Sequence, residues 1–324
     1  MTREMRYLDA CNEALREEME RDPKIVVLGE DVRWGMRGFT KGVLDKFGPN
    51  RIFDTPISEA AFTGLATGAA LAGLRPVVEL QISALVYCAF DQLVDQAQKL
   101  RYMMGGQGKI PVTYIVPCGT RGATAGQHSD QPYPLLLHMG MKSVMPSTPR
   151  DAKGLFKAAI REDDPVFFFA PVEVFGSKGP VPDQEEVLPL GKAEVKREGK
   201  DLTLVAVGGL VPAALECAQT LAAEGMSVEV LDPRSLLPLD RDAIVASAKK
   251  TGRVIIFDDS NRTCGFAAEV SAVVAESAFE ALKAPIRRVT RADVPVPFSA
   301  ALEPVVLPSR ERLLAECRRM LAKA

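Results

Sequence analysis

Two short stretches of this sequence place proton-moving side chains where strands give way to loops. In "DTPISEAAFTG", residues 54–64, Glu59 follows Ser58 at the expected start of a helix. A carboxylate in a first helical turn complements the helix dipole, an effect worth about 0.3–1 kcal/mol that by itself implies no chemistry. The helix that follows, "EAAFTGLATGAALAGL", is so rich in Ala and Gly that another helix or backbone can approach it closely, and it is expected to lie in an interface. A carboxylate at the head of such a helix needs a partner. The chain has two histidines. His138, in "LLLHMG", reads as a structural imidazole. His128, in "AGQHSD", follows the small-residue stretch "CGTRGATAGQ" and so sits on a loop, where an imidazole can shuttle protons near neutral pH. Asp258 and Asp259, closing "RVIIFDDS", could suggest a metal pair, but carboxylates at strand ends more often serve loops and helix caps.

The elements that must carry these residues alternate. "KIVVLGEDV", "RIFDTP", "RPVVELQI", "PVTYIVP" and "PVFFFAP" are short apolar, β-branched runs separated by longer helical patterns. That alternation predicts an α/β fold with a parallel, doubly wound sheet, whose ligands sit outside the carboxyl ends of the strands. The pattern breaks in "SKGPVPDQEEVLPLGKAEVKREGKD" and resumes with "LTLVAVGG", "SVEVLDP", "RVIIFDDS" and "IRRVTR". Two domains are therefore expected, residues 1–185 and 186–324. The terminal "SRERLLAECRRMLAKA" predicts a helix capped by its Ser, with basic residues suited to its C-terminal end.

Bulk properties narrow the function. With 324 residues, 47% of them hydrophobic, the chain can bury the cores of two domains. Forty basic and 42 acidic residues leave a net charge of -2 with no basic run, which argues against nucleic acid as a partner. Six scattered cysteines without CxxC spacing suggest neither a disulfide framework nor a zinc site, and fit a reducing cytoplasm. The first 22 residues are charged and helix-patterned, unlike a targeting peptide, and no apolar run approaches the roughly 18 residues of a membrane span. No GxxxxGK[ST] occurs.

Taken in order, "VVLGEDV", "FGPNRIFDTPISEAAFTGLATGAALAGLRPVVELQ", "FDQLVDQAQKLRYMMGGQ", "QHS", "DAKGLFKAAIREDDP", "EVLDPRSLLPLD", "KTGRVIIFDDS" and "VTRADVPVPFSAALEPVVLPS" closely resemble the β subunit of the E1 component of thiamine-diphosphate-dependent 2-oxo acid dehydrogenase complexes. The last stretch is most similar to acetoin and pyruvate dehydrogenase types. The resemblance implies a transketolase-like pyrimidine-binding domain followed by a transketolase C-terminal-like domain for subunit assembly and E2 docking. It implies that Glu59 hydrogen-bonds N1' of the cofactor's aminopyrimidine, with burial raising its affinity for protons, so that the ring's amino nitrogen can deprotonate the thiazolium carbon. It also implies that His128 lies near the reacting carbon and that Ile57, Gln81 and Leu85 line the pyrimidine pocket. Where relatives carry an aromatic residue that stacks on the ring, this chain has Leu85, preceded by Ala84; the loss is worth about 0.5–1.5 kcal/mol unless Tyr87 substitutes.

The chain contains no GDG motif, the magnesium and diphosphate signature of thiamine enzymes. The resemblance therefore implies an E1 α subunit that holds Mg²⁺ and the diphosphate, in an α2β2 heterotetramer, with lipoyl-bearing E2 as acyl acceptor and a small 2-oxo acid or acetoin as substrate. It further suggests a K⁺ site at Val112, Ala159, Ile160, Glu162 and Asp164. Two other readings stand beside this one. A split transketolase-like enzyme would want polar sugar-phosphate contacts where "ISALVYCAF" is apolar; a non-catalytic β-like subunit is suggested by Leu85 and Ala84 and opposed by the presence of both Glu59 and His128.

Overall fold

The computed structural model describes residues 1–119 and 122–322. The chain divides into two compact units, residues 1–118 with 135–190, and residues 119–134 with 191–324. In chain order the first unit contains β1 (Thr2–Arg6), α1 (Tyr7–Arg21), β2 (Ile25–Gly29), α2 (Val43–Phe47), β3 (Ile52–Asp54), α3 (Glu59–Leu71), β4 (Arg75–Glu79), α4 (Lys99–Met103), β5 (Thr113–Cys118), α5 (Tyr133–His138, entering from the second unit), β6 (Lys142–Val144), α6 (Pro149–Arg161), β7 (Val166–Pro171) and β8 (Lys178–Pro182). The second contains β9 (Glu194–Arg197), β10 (Leu202–Ala206), α7 (Val211–Ala223), β11 (Val228–Asp232), β12 (Ser235–Leu237), α8 (Arg241–Thr251), β13 (Val254–Asn261), α9 (Phe266–Ala278), β14 (Arg287–Arg291), α10 (Glu303–Val306) and α11 (Arg310–Leu321).

Six strands of the first unit are parallel in the order β6-β7-β5-β4-β2-β3. Their central members are apolar on both faces because helices cover both, as the continuous runs Ile25–Gly29 and Val166–Pro171 require. The core joins Val27, Val77, Ile115 and Phe168 of the sheet to Leu15 and Met19 of α1 and to Leu155 and Phe156 of α6. α6 starts with Pro149 in its first turn and Thr148 as N-cap, whose side chain accepts from the Asp151 amide. The first residues of the chain, expected as helix, instead form β1, which pairs antiparallel with β8 in a two-stranded sheet.

The second unit is a five-stranded sheet in the order β14-β13-β10-β11-β9, parallel except for the antiparallel edge strand β9. Its core packs Leu204, Val230, Ile255 and Phe257 against α7 and against Leu313 and Cys317 of α11. Ser309 caps α11 by accepting from the Arg312 amide at 3.2 Å. Among the described residues, no helix is long and apolar enough to cross a membrane.

Candidate functional site

Strand order in the first unit reverses at β2. The chain runs from β2 to β3 on one side, then returns through α3 to β4 on the other. The loops leaving β2 and β4 therefore diverge and open a crevice at their carboxyl ends, the place where open α/β sheets bind ligands. Gly29 makes this edge tight: at φ +152° its missing Cβ would stand 2.5 Å from the Glu79 carbonyl oxygen. Thr55 N donates to the Gly29 carbonyl at 3.0 Å and Arg33 N to Asp54 Oδ1 at 2.8 Å, tying the β2 and β3 loops together.

Glu59 opens α3 beneath this crevice and is 7% exposed. Ser58 occupies the N-cap position, but its side chain makes no capping hydrogen bond, which leaves the helix head to the Glu59 carboxylate. Its partner is Glu30, the residue immediately after β2. Burial, then the charges of Glu59 and Asp31, then a hydrogen bond with Glu59 push the Glu30 carboxyl above the usual carboxylate range. Two carboxyl groups in contact oppose each other's ionisation.

Gln81, buried two residues past β4, donates from Nε2 to the Glu30 carbonyl at 2.6 Å and accepts at Oε1 from Arg37 Nε at 3.0 Å. Those bonds fix which way its amide faces. Glu79, the last residue of β4, is 1% exposed, and burial pushes its carboxyl up to about 8 against the lowering pull of Arg37. Three buried oxygens along this one edge lack a hydrogen-bond partner: Glu30 Oε1, Thr55 Oγ1 and Glu79 Oε2. Each such atom costs about 1–3 kcal/mol, so a cluster at the end of three adjacent strands marks a place built to meet a donor. Ile57 is 82% exposed beside the same helix head, and Leu85 is half-buried in the short 3₁₀ turn Ser83–Tyr87.

His128 belongs to the second unit and is exposed on the loop between β5 and α5. Its amide donates to the Ala125 carbonyl at 3.3 Å, closing a turn, and Thr124 and Ser129 hydroxyls meet at 2.5 Å across it. Asp258, fully buried, accepts from Ser260 Oγ at 2.7 Å and from the Ala267 amide in the first turn of α9 at 2.9 Å, as a helix-capping group does.

The oxygens proposed for K⁺ already have partners. The Val112 carbonyl accepts from Val166 N at 3.0 Å and the Ala159 carbonyl from Glu162 N at 3.3 Å. Arg75 Nη1 donates to the carbonyls of Ile160 at 2.9 Å and Glu162 at 2.6 Å. Asp164 pairs with Arg101 and with Lys142, the latter at 2.8 Å.

The crevice and the His128 loop both fall within the first of two matched domains. Residues 3–176 match the transketolase pyrimidine binding domain and residues 191–313 the transketolase C-terminal domain. Over 100% of its length the chain is 44% identical to the acetoin:2,6-dichlorophenolindophenol oxidoreductase subunit beta of Bacillus subtilis (strain 168), covering 99% of that protein. This chain belongs to the E1 β-subunit family. It is also 42% identical over 98% of its length to the mitochondrial pyruvate dehydrogenase E1 component subunit beta-1 of Arabidopsis thaliana, covering 89% of it, and 39% identical over 98% to the 2-oxoisovalerate dehydrogenase subunit beta of Bacillus subtilis (strain 168), covering 98%. Among solved structures, one described as a split gene transketolase, inactive beta4 tetramer, matches with a TM-score of 0.78 at 25% identity, covering 97% of each chain.

For an E1 β chain, the sheet edge contains more than the sequence reading named. Glu30 stands in "VLGEDV" and obeys the rule that singled out Glu59, a carboxylate at a strand's carboxyl end, but its contact with Glu59 depends on β2 and β3 being neighbours. Arg37 carried no local signal at all.

Proposed function

We propose that this E1 β subunit completes, with an α subunit in an α2β2 heterotetramer, a cytoplasmic thiamine-diphosphate-dependent enzyme that decarboxylates a small 2-oxo acid or cleaves acetoin and passes the acyl group to lipoyl-E2. The observation that carries this reading is the Glu30–Glu59 carboxyl contact at the switch point, flanked by buried oxygens that lack a donor. An aminopyrimidine fits such a site, because it offers an amino group to those oxygens and a ring nitrogen to a carboxyl that can share a proton.

When bound, thiamine diphosphate supplies the nucleophilic carbon and the electron sink of the reaction. Glu59 would exchange a proton with the ring nitrogen, and Glu30 stands beside it, its carboxyl pushed above the usual range by burial and by the neighbouring charges. Gln81, held by Arg37 and the Glu30 backbone, orients the pyrimidine, while Ile57 and Leu85 offer it apolar surface. His128 donates or accepts a proton at the substrate oxygen or the incoming lipoyl group. With no GDG motif in this chain, Mg²⁺ and the diphosphate fall to the α subunit. A K⁺ ion at Val112 and the 159–164 turn would use the second lone pairs of carbonyls that Arg75 and the backbone already engage.

The test is co-purification with its α subunit, followed by cofactor-dependent reduction of an artificial acceptor with pyruvate, branched 2-oxo acids and acetoin. Glu59→Gln is expected to lower turnover by about 10²–10⁴-fold, the usual worth of a positioned proton-transfer group. A pair that binds cofactor yet turns over none of these substrates would point to a non-catalytic subunit. Activity confined to sugar phosphates would favour the split transketolase reading, which the solved relative motivates.

A further inference from the structure

The loop that carries His128 is held against its own backbone preferences. Ala123 and Ala125 have φ of +57° and +63°, the left-handed region in which a Cβ is crowded. Such a residue is strained and persists only where surrounding contacts over-determine it. Here the contacts are explicit. The Ala123 amide donates to Glu303 Oε1 at 2.8 Å. Beyond His128, Gln131 Nε2 donates to Asp259, and the Tyr133 hydroxyl donates to Asp258 and, at 2.9 Å, to Asp259 Oδ1. Between these anchors lies Arg291, the last residue of β14, 4% exposed. Its Nη1 donates to the Ser129 carbonyl at 3.3 Å, Nη2 to Asp130 Oδ1 at 2.7 Å and Nε to Asn261 Oδ1 at 2.7 Å.

We propose that Arg291 is a positioning residue for His128: its guanidinium grips the two residues that follow the imidazole and pins them to the sheet of the second unit, so that an exposed side chain on a strained loop keeps one location. The inference rests on the reading of His128 as an acid–base group. A planar fork with three N–H faces in use suits this task, whereas an ammonium on a flexible stem would serve fewer of the acceptors at once. A buried ion pair is weak grounds for stability, because desolvation offsets the attraction, so the arrangement is better explained by what it orients.

The experiment uses the assembled α/β enzyme in which only the β chain carries [ε1-¹³C]histidine, giving two resonances, His128 and His138, assigned with His128→Gln. Arg291→Met is expected to shift or broaden the His128 resonance and leave His138 unchanged. Turnover should fall roughly 10–100-fold, the cost of a misplacement near 1 Å, with KM little changed. Arg291→Lys should recover part of the loss. In the His128→Gln background, Arg291→Met should cost almost nothing further, which a purely architectural role would not produce. An unchanged His128 resonance, or a loss that persists undiminished without His128, overturns the proposal. If His128→Gln alone leaves turnover intact, the acid–base reading fails, while the resonances still decide whether Arg291 fixes the loop. Should Arg291→Met not assemble, Asp130→Asn applies the same test to one arm of the grip, expecting a smaller shift of the same resonance.

Discussion

Glu79 has an unbalanced environment. Its ordinary carboxyl value of 4.5 rises to about 8 because strand β4 seals it from water and Arg37 offsets only part of the cost. Between these values the folded chain binds a proton that the unfolded chain has released. Its contribution to stability is therefore complete below about pH 4.5 and is lost as pH rises through about 8. Glu79→Gln, which keeps the shape and cannot ionise, should be more stable than the parent by on the order of 1–3 kcal/mol at pH 8, with the gap shrinking toward pH 5. Urea unfolding of both chains across that range checks this; parallel pH curves would mean that Glu79 is not the group responsible. Leu85 allows a second residue-scale prediction. Leu85→Phe should tighten thiamine diphosphate in the assembled enzyme by about 2–10-fold, the equivalent of 0.5–1.5 kcal/mol of aromatic stacking, read from cofactor titration. No change would imply that Leu85 does not face the ring. Glu59 stood out in the sequence as a carboxylate at the head of a small-residue helix, whereas Gln81 was named only through the family resemblance. Arg37 was not legible, since nothing within its own stretch shows that its guanidinium reaches Gln81.

At the scale of elements, the serines that precede α3 and α11 part company. Ser309 accepts from the Arg312 amide, whereas the Ser58 side chain caps nothing. Ser309→Ala should therefore cost about 0.5–2 kcal/mol and Ser58→Ala a few tenths at most, both measured by urea unfolding. Equal losses would contradict the difference in cap geometry. The helix headed by Glu59 is thus organised for contacts beyond its own first turn, which is consistent with a carboxylate aimed at Glu30. The five strands read in the first half and four in the second all form, and in the central ones continuous apolar runs bury both faces of a parallel sheet. The Pro- and charge-rich stretch read as a boundary also contains β8 and β9. Both are antiparallel edge strands that borrow their order from partners, β8 from the chain's first residues and β9 from β11, so local composition could not reveal them.

At the scale of the molecule, the proposed function leaves the diphosphate half of the cofactor to an α subunit. The β chain alone should bind thiamine diphosphate at least about tenfold more weakly than the reconstituted pair, since linked binding requires both halves. Equal affinity with and without the α subunit would refute the division of ligands. If the second domain docks E2 through complementary charge, as proposed, that docking should weaken as salt rises. What the sequence determined by itself was the alternation of elements, the division into two α/β domains matched by the family, and the residue at each strand end, because these follow from periodicity and from motifs in fixed order. The tertiary structure alone decided that Glu30 meets Glu59, that Arg37 orients Gln81, and that Arg291 grips the His128 loop from 162 and 161 residues away. Such pairings arise from strand order and burial, where an unpaired polar atom is costly, and neither is written in local spacing.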